Sequence, residues 1–78
     1  MNREELKKEL NRLKVKQSEY SLDGSMANWD TIVLVQEYKR WRVIYVDERG
    51  HQEELKSFKK EDEACMYIYN EFKRLINM

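Results

Sequence analysis

Two residues could supply nucleophilic or metal-binding chemistry, because the chain has one imidazole, on His51, and one thiol, on Cys65. A cysteine–histidine pair acts as a nucleophile only when a third group orients the imidazole and nearby donors stabilise the oxyanion. The sequence offers no candidate for either role, and two soft ligands are too few for a structural zinc site. Cys65 also falls on the apolar side of a predicted helix, where a free cysteine is usually a small buried hydrophobic residue. We therefore predict that the protein is not an enzyme and that it binds no zinc.

The segment YSLDGSMANWD, residues 20–30, concentrates carboxylates, hydroxyls and aromatic rings, and it contains one of the two glycines. As a calcium loop it would place Asp23, Ser25 and Ala27 at alternating ligand positions, but alanine cannot ligate calcium and the loop lacks its closing glutamate. The remaining interpretation is a connector in which Asp23 and Gly24 make a turn. We therefore expect no metal and no cofactor in this segment.

The segment KRWR interleaves basic side chains with an aromatic ring, as platforms for single-stranded nucleic acid do. Its nucleic-acid contacts would come from Lys39, Arg40 and Arg42. Glutamates at positions 37 and 48 reduce the positive field, and no spacing typical of a helix-turn-helix, a zinc finger or an RNA-recognition motif accompanies the segment. A phage-related or accessory nucleic-acid-binding protein is therefore an alternative function, and we expect protein to be the better partner.

Aromatic residues are more numerous than a core of this size needs. The chain has five tyrosines and two tryptophans, and Trp41, Val43 and Tyr45 alternate on one face of a predicted strand. Exposed tyrosine and tryptophan side chains are typical of the residues that dominate protein–protein interfaces. We predict a protein-binding or homodimer face here, unless the N-terminal helix covers it. The residues expected at or near such a surface are Tyr20, Trp29, Trp41, Tyr45, Glu48 and Arg49.

Length and charge limit the classes of protein that this chain can belong to. Its 78 residues contain no linker-like segment, so we expect one compact domain, residues 1–78. Fifteen basic and fifteen acidic residues give zero net charge and no long-range attraction to nucleic acid or anionic lipid. The opening MNREELKKEL has no apolar core of a signal peptide, and no apolar run reaches the roughly 20 residues that span a bilayer. We therefore expect a cytoplasmic protein without membrane contact.

The elements that must position these residues are two helices and three strands. Leu6, Leu10 and Leu13 recur at helical spacing and predict a first helix over about residues 2–14, with Asn2 as its N-cap. Runs rich in β-branched and aromatic residues predict strands at roughly 31–37, 41–47 and 52–58. Short turns between them make neighbouring strands antiparallel, and Gly50 is expected to supply the positive φ of the second turn.

A second helix is predicted from residue 60 to the end of the chain. Its expected apolar face consists of Ala64, Cys65, Ile68, Phe72, Leu75 and Ile76. The fold class is therefore α+β, a three-stranded antiparallel meander flanked by an N-terminal and a C-terminal helix, which pack on one sheet face or on one face each. Since the first two strands are apolar on both faces, we expect that something covers the second face.

Three short elements carry a family resemblance: YSLDG at residues 20–24, W-x-V-x-Y-x-x-E-R-G at residues 41–50 and L-x-x-F-x-x-x-x-E-A-C-x-Y at residues 55–67. Together they resemble the small α+β immunity proteins of bacterial polymorphic toxin systems. The resemblance implies stoichiometric binding of a cognate toxin inside the producing cell, without catalysis or a cofactor. The expected function is thus toxin neutralisation by a protein-binding domain, and a homodimeric domain of unknown ligand is a further alternative.

Overall fold

The computed structural model describes residues 1–26 and 28–77 of the chain. Two helices and four strands follow one another, with a 3₁₀ turn, Gln17–Glu19, before the first strand. Their bounds are α1, Arg3–Arg12; β1, Tyr20–Ser21; β2, Thr31–Glu37; β3, Arg40–Val46; β4, Gln52–Phe58; and α2, Glu61–Ile76. The α+β class is confirmed. Ala27, which breaks the calcium pattern, and Met78, at the end of the predicted second helix, lie outside the described residues.

The sheet has four strands in the order β1-β2-β3-β4. Strands β2, β3 and β4 form the predicted antiparallel meander. Strand β1 adds a parallel neighbour to β2, with Tyr20 opposite Ile32 and Ser21 opposite Val33, so the prediction of a purely antiparallel three-stranded sheet was wrong. A strand of two residues has no periodicity to read in the sequence, because its pairing depends on where the following chain returns.

Helix α1 begins where the sequence predicts and ends slightly earlier. The side-chain oxygen of Asn2 accepts a hydrogen bond from the Glu5 backbone N–H at 2.8 Å, which confirms the N-cap. Lys14 then adopts a left-handed conformation with φ of 63°, and the Val15 N–H donates to the Leu10 carbonyl at 3.0 Å. This arrangement satisfies a terminal carbonyl and turns the chain away from the helix axis.

Both helices pack on the same face of the sheet. The core on this face contains Leu6, Leu10, Val15, Tyr20, Ile32, Leu34, Val43, Ala64, Cys65, Ile68 and Phe72. Four of the six residues predicted for the apolar face of α2 are therefore buried, but Leu75 and Ile76 are 53% and 50% exposed. These two lie on the correct side of the helix, yet its last turn extends beyond the packed region. No helix within the described ranges could cross a membrane, since none is both long and apolar enough.

Part of the second face of the sheet is covered by Met26, which lies in the connector between β1 and β2. Val33, Ile44 and Val46 form a small buried cluster there, and Met26 from the connector packs against them. The expected cover is thus present, although it is a loop and not a helix. Inside this loop Gly24 has φ of +84°, and the Asp23 carboxylate accepts the Ser25 backbone N–H at 3.0 Å, as predicted for a turn.

Candidate functional site

One end of the sheet brings together four of the six residues that the sequence predicts at a binding surface. Trp29 precedes β2, Tyr45 lies near the end of β3, and Glu48 and Arg49 form the β3–β4 turn. Tyr45, Glu48 and Arg49 line an open cleft of about 320 Å³. The other residues of its lining are Asp30, Asp47 and His51. We call Trp29, Asp30, Tyr45 and residues 47–51 the turn face. It is the part of the molecule where the predicted contact residues converge.

The β3–β4 turn is held by the carboxylate of Asp47. One of its oxygens accepts the backbone N–H groups of Arg49 and His51, each at 2.8 Å. The hydrogen bond from His51 holds the pKa of Asp47 below its ordinary value. Gly50 has φ of +84°, as predicted, and its N–H donates to the Asp47 carbonyl at 3.0 Å. The positions of Glu48 and Arg49 therefore follow from local turn chemistry.

Asp30 connects the loop before β2 to β3 and to its turn. Its φ of 57° is unusual for a residue other than glycine, and its N–H donates to the Asp47 carbonyl at 3.4 Å. Its carboxylate accepts the hydroxyl of Tyr45. Because that bond favours the neutral phenol, it raises the pKa of Tyr45 to about 12. Tyr45 therefore remains protonated at neutral pH and acts as a positioning residue for Asp30.

The side chain of Trp29 is 66% exposed although its backbone is fixed. Its carbonyl accepts from the hydroxyl of buried Thr31 at 2.9 Å, and this hydroxyl also lies 2.8 Å from the Ser18 carbonyl. The indole nitrogen lies 3.6 Å from the point where a Cβ on Gly50 would stand. The ring is therefore placed beside the turn while most of its surface remains open to a partner.

The other two predicted contact residues lie elsewhere. Tyr20 is only 7% exposed, and its ring meets Phe72 edge to face with centroids 6.5 Å apart, so it is a core residue and not a surface residue. Trp41 is half-buried against the main core, with the guanidinium carbon of Arg3 at 5.4 Å from its ring centroid. Val43 and much of Trp41 are therefore covered by α2 as well as α1, which is the alternative that the sequence left open, whereas the Tyr45 hydroxyl reaches the turn face.

The basic residues of KRWR are balanced by acids. On the second sheet face, Arg40 lies 3.1 Å from Glu37, and Arg42 lies 2.5 Å from Glu54 and 3.6 Å from Glu37. The hydrogen bond between Arg42 and Glu54 raises the pKa of the guanidinium and lowers that of the carboxylate. Lys39 sits in the β2–β3 turn, with its ammonium 5.2 Å from the Tyr38 ring centroid. The two arginines thus belong to a neutral network and do not form a positive platform.

The single thiol and imidazole are in different environments. Cys65 is fully buried on the core-facing side of α2, and burial raises the pKa of its thiol to about 11. His51 is exposed in the β3–β4 turn, where its Nδ1 lies 3.6 Å from the Asp47 carboxylate. Within residues 1–26 and 28–77, no group of three or more potential ligand side chains has a metal-binding arrangement.

A larger cleft, which the sequence did not indicate, lies between α1 and the chain around β1. Its volume is about 540 Å³, and its charged lining residues are Arg3, Glu4, Lys7 and Asp23. Two cations face two carboxylates, so the lining has no net preference for either charge. The floor includes Tyr20, whose hydroxyl is buried without a hydrogen-bond partner among the described residues.

The turn face differs from this cleft in having an exposed aromatic ring, fixed turn residues and a clear excess of one charge. Comparison with family models, with curated proteins and with solved structures finds no match to the chain.

Proposed function

We propose that this protein is a non-enzymatic protein-binding domain that neutralises a toxin as an immunity protein in the bacterial cytoplasm. The contact surface in this proposal is the turn face. One observation carries it: Trp29 is 66% exposed, while its carbonyl accepts the Thr31 hydroxyl and its indole nitrogen lies beside the Gly50 turn. An exposed tryptophan next to an ordered turn is typical of an interface hot spot.

The energy available from Trp29 is large enough to dominate an interface. A tryptophan side chain buries roughly 150–250 Å² when it is fully covered, so the exposed two-thirds amount to about 100–165 Å². At roughly 25 cal/mol per Å², covering this surface contributes about 3 kcal/mol. Because the neighbouring turn is already ordered by Asp47 and Asp30, little further conformational entropy is lost on binding.

The assignment to toxin neutralisation rests on the resemblance to immunity proteins. Of its three elements, the one at residues 41–50 supplies Tyr45, Glu48, Arg49 and Gly50 to the turn face. The other two elements place Tyr20 and Cys65 in the core. Inhibition by a tight stoichiometric complex requires a rigid contact surface and no catalytic group, which suits this arrangement.

The test starts from gene neighbourhood. Where a large protein with a secretion domain is encoded upstream, its C-terminal domain is expressed with and without the present protein. Rescue of growth by coexpression supports the proposal. Continued toxicity in the presence of the folded protein contradicts it.

Two aromatic variants then locate the interface. Trp29→Ala is expected to weaken binding of the toxin domain by at least about 2 kcal/mol, roughly 30-fold in Kd, as measured by calorimetry. Tyr38→Ala is the matched control, because Tyr38 is 88% exposed in the turn at the opposite end of β2. Equal losses for both variants, or a loss for Tyr38→Ala alone, would place the interface elsewhere. If sedimentation instead shows a dimer that Trp29→Ala dissociates, the turn face joins two copies of this chain.

A further inference from the structure

We infer that the turn face binds a basic protein surface, with an arginine side chain of the partner stacked on Trp29 and paired with the carboxylates beside it. This inference rests on the proposed function for the position of the interface. It adds the chemistry of the partner, which neither the resemblance nor the fold supplies.

The first observation is a local excess of negative charge. The chain as a whole is neutral, with fifteen basic and fifteen acidic residues. Around the cleft of the turn face, however, Asp30, Asp47 and Glu48 face a single guanidinium, that of Arg49. Glu53 adds a further carboxylate next to Tyr45, its register partner across β3 and β4. The surface around Trp29 is therefore acidic although the molecule is not.

The second observation is that part of this negative charge is unmatched. On the other face of the sheet, Glu37 and Glu54 are paired with arginines. Within the described part of the chain, Glu48 and Glu53 have no hydrogen bond or ion pair through their carboxylates. No cation from the described part of the chain lies over the Trp29 ring either. A cationic partner would supply the positive charge that the chain's own arginines supply to Glu37 and Glu54.

The third observation is that the molecule already contains the complete arrangement at another place. The guanidinium carbon of Arg3 lies 5.4 Å from the centroid of the Trp41 ring, while its Nε lies 3.4 Å from the Glu61 carboxylate. Arginine is suited to this double contact because its flat guanidinium stacks on an aromatic face and its N–H groups remain free to donate to carboxylates. The turn face presents a tryptophan and carboxylates of the same kind, but no arginine of the described residues, Arg49 included, lies over the Trp29 ring.

The experiment uses the full chain and a defined probe, a capped pentapeptide of alternating glycine and arginine, followed by amide NMR. We expect the indole N–H of Trp29 and the backbone amides of residues 48–51 to shift on titration, and the shifts to weaken at high salt. The same peptide with citrulline, which keeps the shape but loses the charge, is expected to leave these signals in place. The double variant Glu48→Gln with Glu53→Gln is expected to weaken binding roughly fivefold. The matched control Glu63→Gln, at an exposed position of α2, is expected to bind as the wild type does.

Two results would overturn the inference: equal shifts with the arginine and citrulline peptides, or shifts that map away from the turn face. This failure is distinct from failure of the proposed function. If the toxin domain loses affinity for Trp29→Ala but the arginine peptide does not bind, the turn face is supported as the toxin interface and the inference of a basic partner is refuted. If the arginine peptide binds at Trp29 but the affinity of the toxin domain is unaffected by Trp29→Ala, the arginine contact is supported and the turn face is refuted as the toxin interface.

Discussion

Replacing Gly50 by valine tests the geometry that holds the turn face together. Gly50 has φ of +84°, a conformation that costs a β-branched residue roughly 1–3 kcal/mol. Gly24 is the matched position, because it has the same φ of +84° but no atom within 4 Å of where its Cβ would stand. At Gly50 the corresponding point is 3.6 Å from the Trp29 indole nitrogen, so only there do the valine methyl groups meet a side chain.

The backbone strain is common to the two variants, and about 2 kcal/mol lowers the Tm of a domain of this size by roughly 8–16 °C. We expect both variants to lower the Tm by this amount. Gly50→Val should in addition displace the Trp29 ring, whereas Gly24→Val should leave the ring in place. Gly50→Asn is the rescue variant, since asparagine tolerates a left-handed conformation better than valine does. Thermal unfolding followed by circular dichroism measures the stability, and the indole NMR signal of Trp29 reports the ring.

Two outcomes would refute the reasoning. Unchanged stability of Gly50→Val would mean that the turn does not need its positive φ. An unchanged Trp29 signal in a destabilised Gly50→Val protein would mean that the ring does not rest on the turn.

Three further predictions concern single side chains. Thr31→Val should destabilise the fold by about 1 kcal/mol in urea unfolding, because it removes the buried hydroxyl that bonds to the Ser18 and Trp29 carbonyls, whereas Thr31→Ser should retain most of the stability. Cys65→Ser should lower the free energy of unfolding by roughly 1–3 kcal/mol and leave partner binding intact. The native thiol should resist alkylation at neutral pH, and rapid alkylation of the folded protein would contradict its burial. The raised pKa of Tyr45 means that its contribution to stability is present below pH 10 and is lost as the pH rises towards 12. Tyr45→Phe should therefore show a smaller loss of stability over this range, and an identical alkaline profile would argue against the bond to Asp30.

Much of the fold could be predicted because it depends on local patterns. The leucine spacing of α1, the Asn2 cap, the apolar positions 64, 65, 68 and 72 of α2 and the positive φ of Gly50 all follow from interactions within a few residues. The three antiparallel strands follow from β-branched runs separated by short turns. The prediction failed for Leu75 and Ile76, because helical periodicity does not show how far along the helix its packing partners extend.

The candidate site was predictable in part. Tyr45, Glu48 and Arg49 lie within a few residues of one turn, so their proximity follows from a hairpin. Trp29 joins them only because β2 and β3 pair with Thr31 opposite Val46, which brings the start of β2 to the β3–β4 turn. The role of Asp30 as a left-handed link between the two was not predicted, because aspartate adopts that conformation more often than most residues but at only a few of its positions.

The sequence by itself determined the α+β class, the approximate positions of the two helices, the antiparallel meander and the unusual number of aromatic residues, since each depends on composition or short-range periodicity. Only the tertiary structure decided which aromatic residues face a partner. Tyr20 and Trp29 stand at opposite ends of one connector, but Tyr20 enters the core beside α1 and α2 while Trp29 remains on the surface at the turn. The difference arises because β1 pairs in parallel with β2, and the loop that makes this pairing possible must cross to the other face of the sheet before β2 begins.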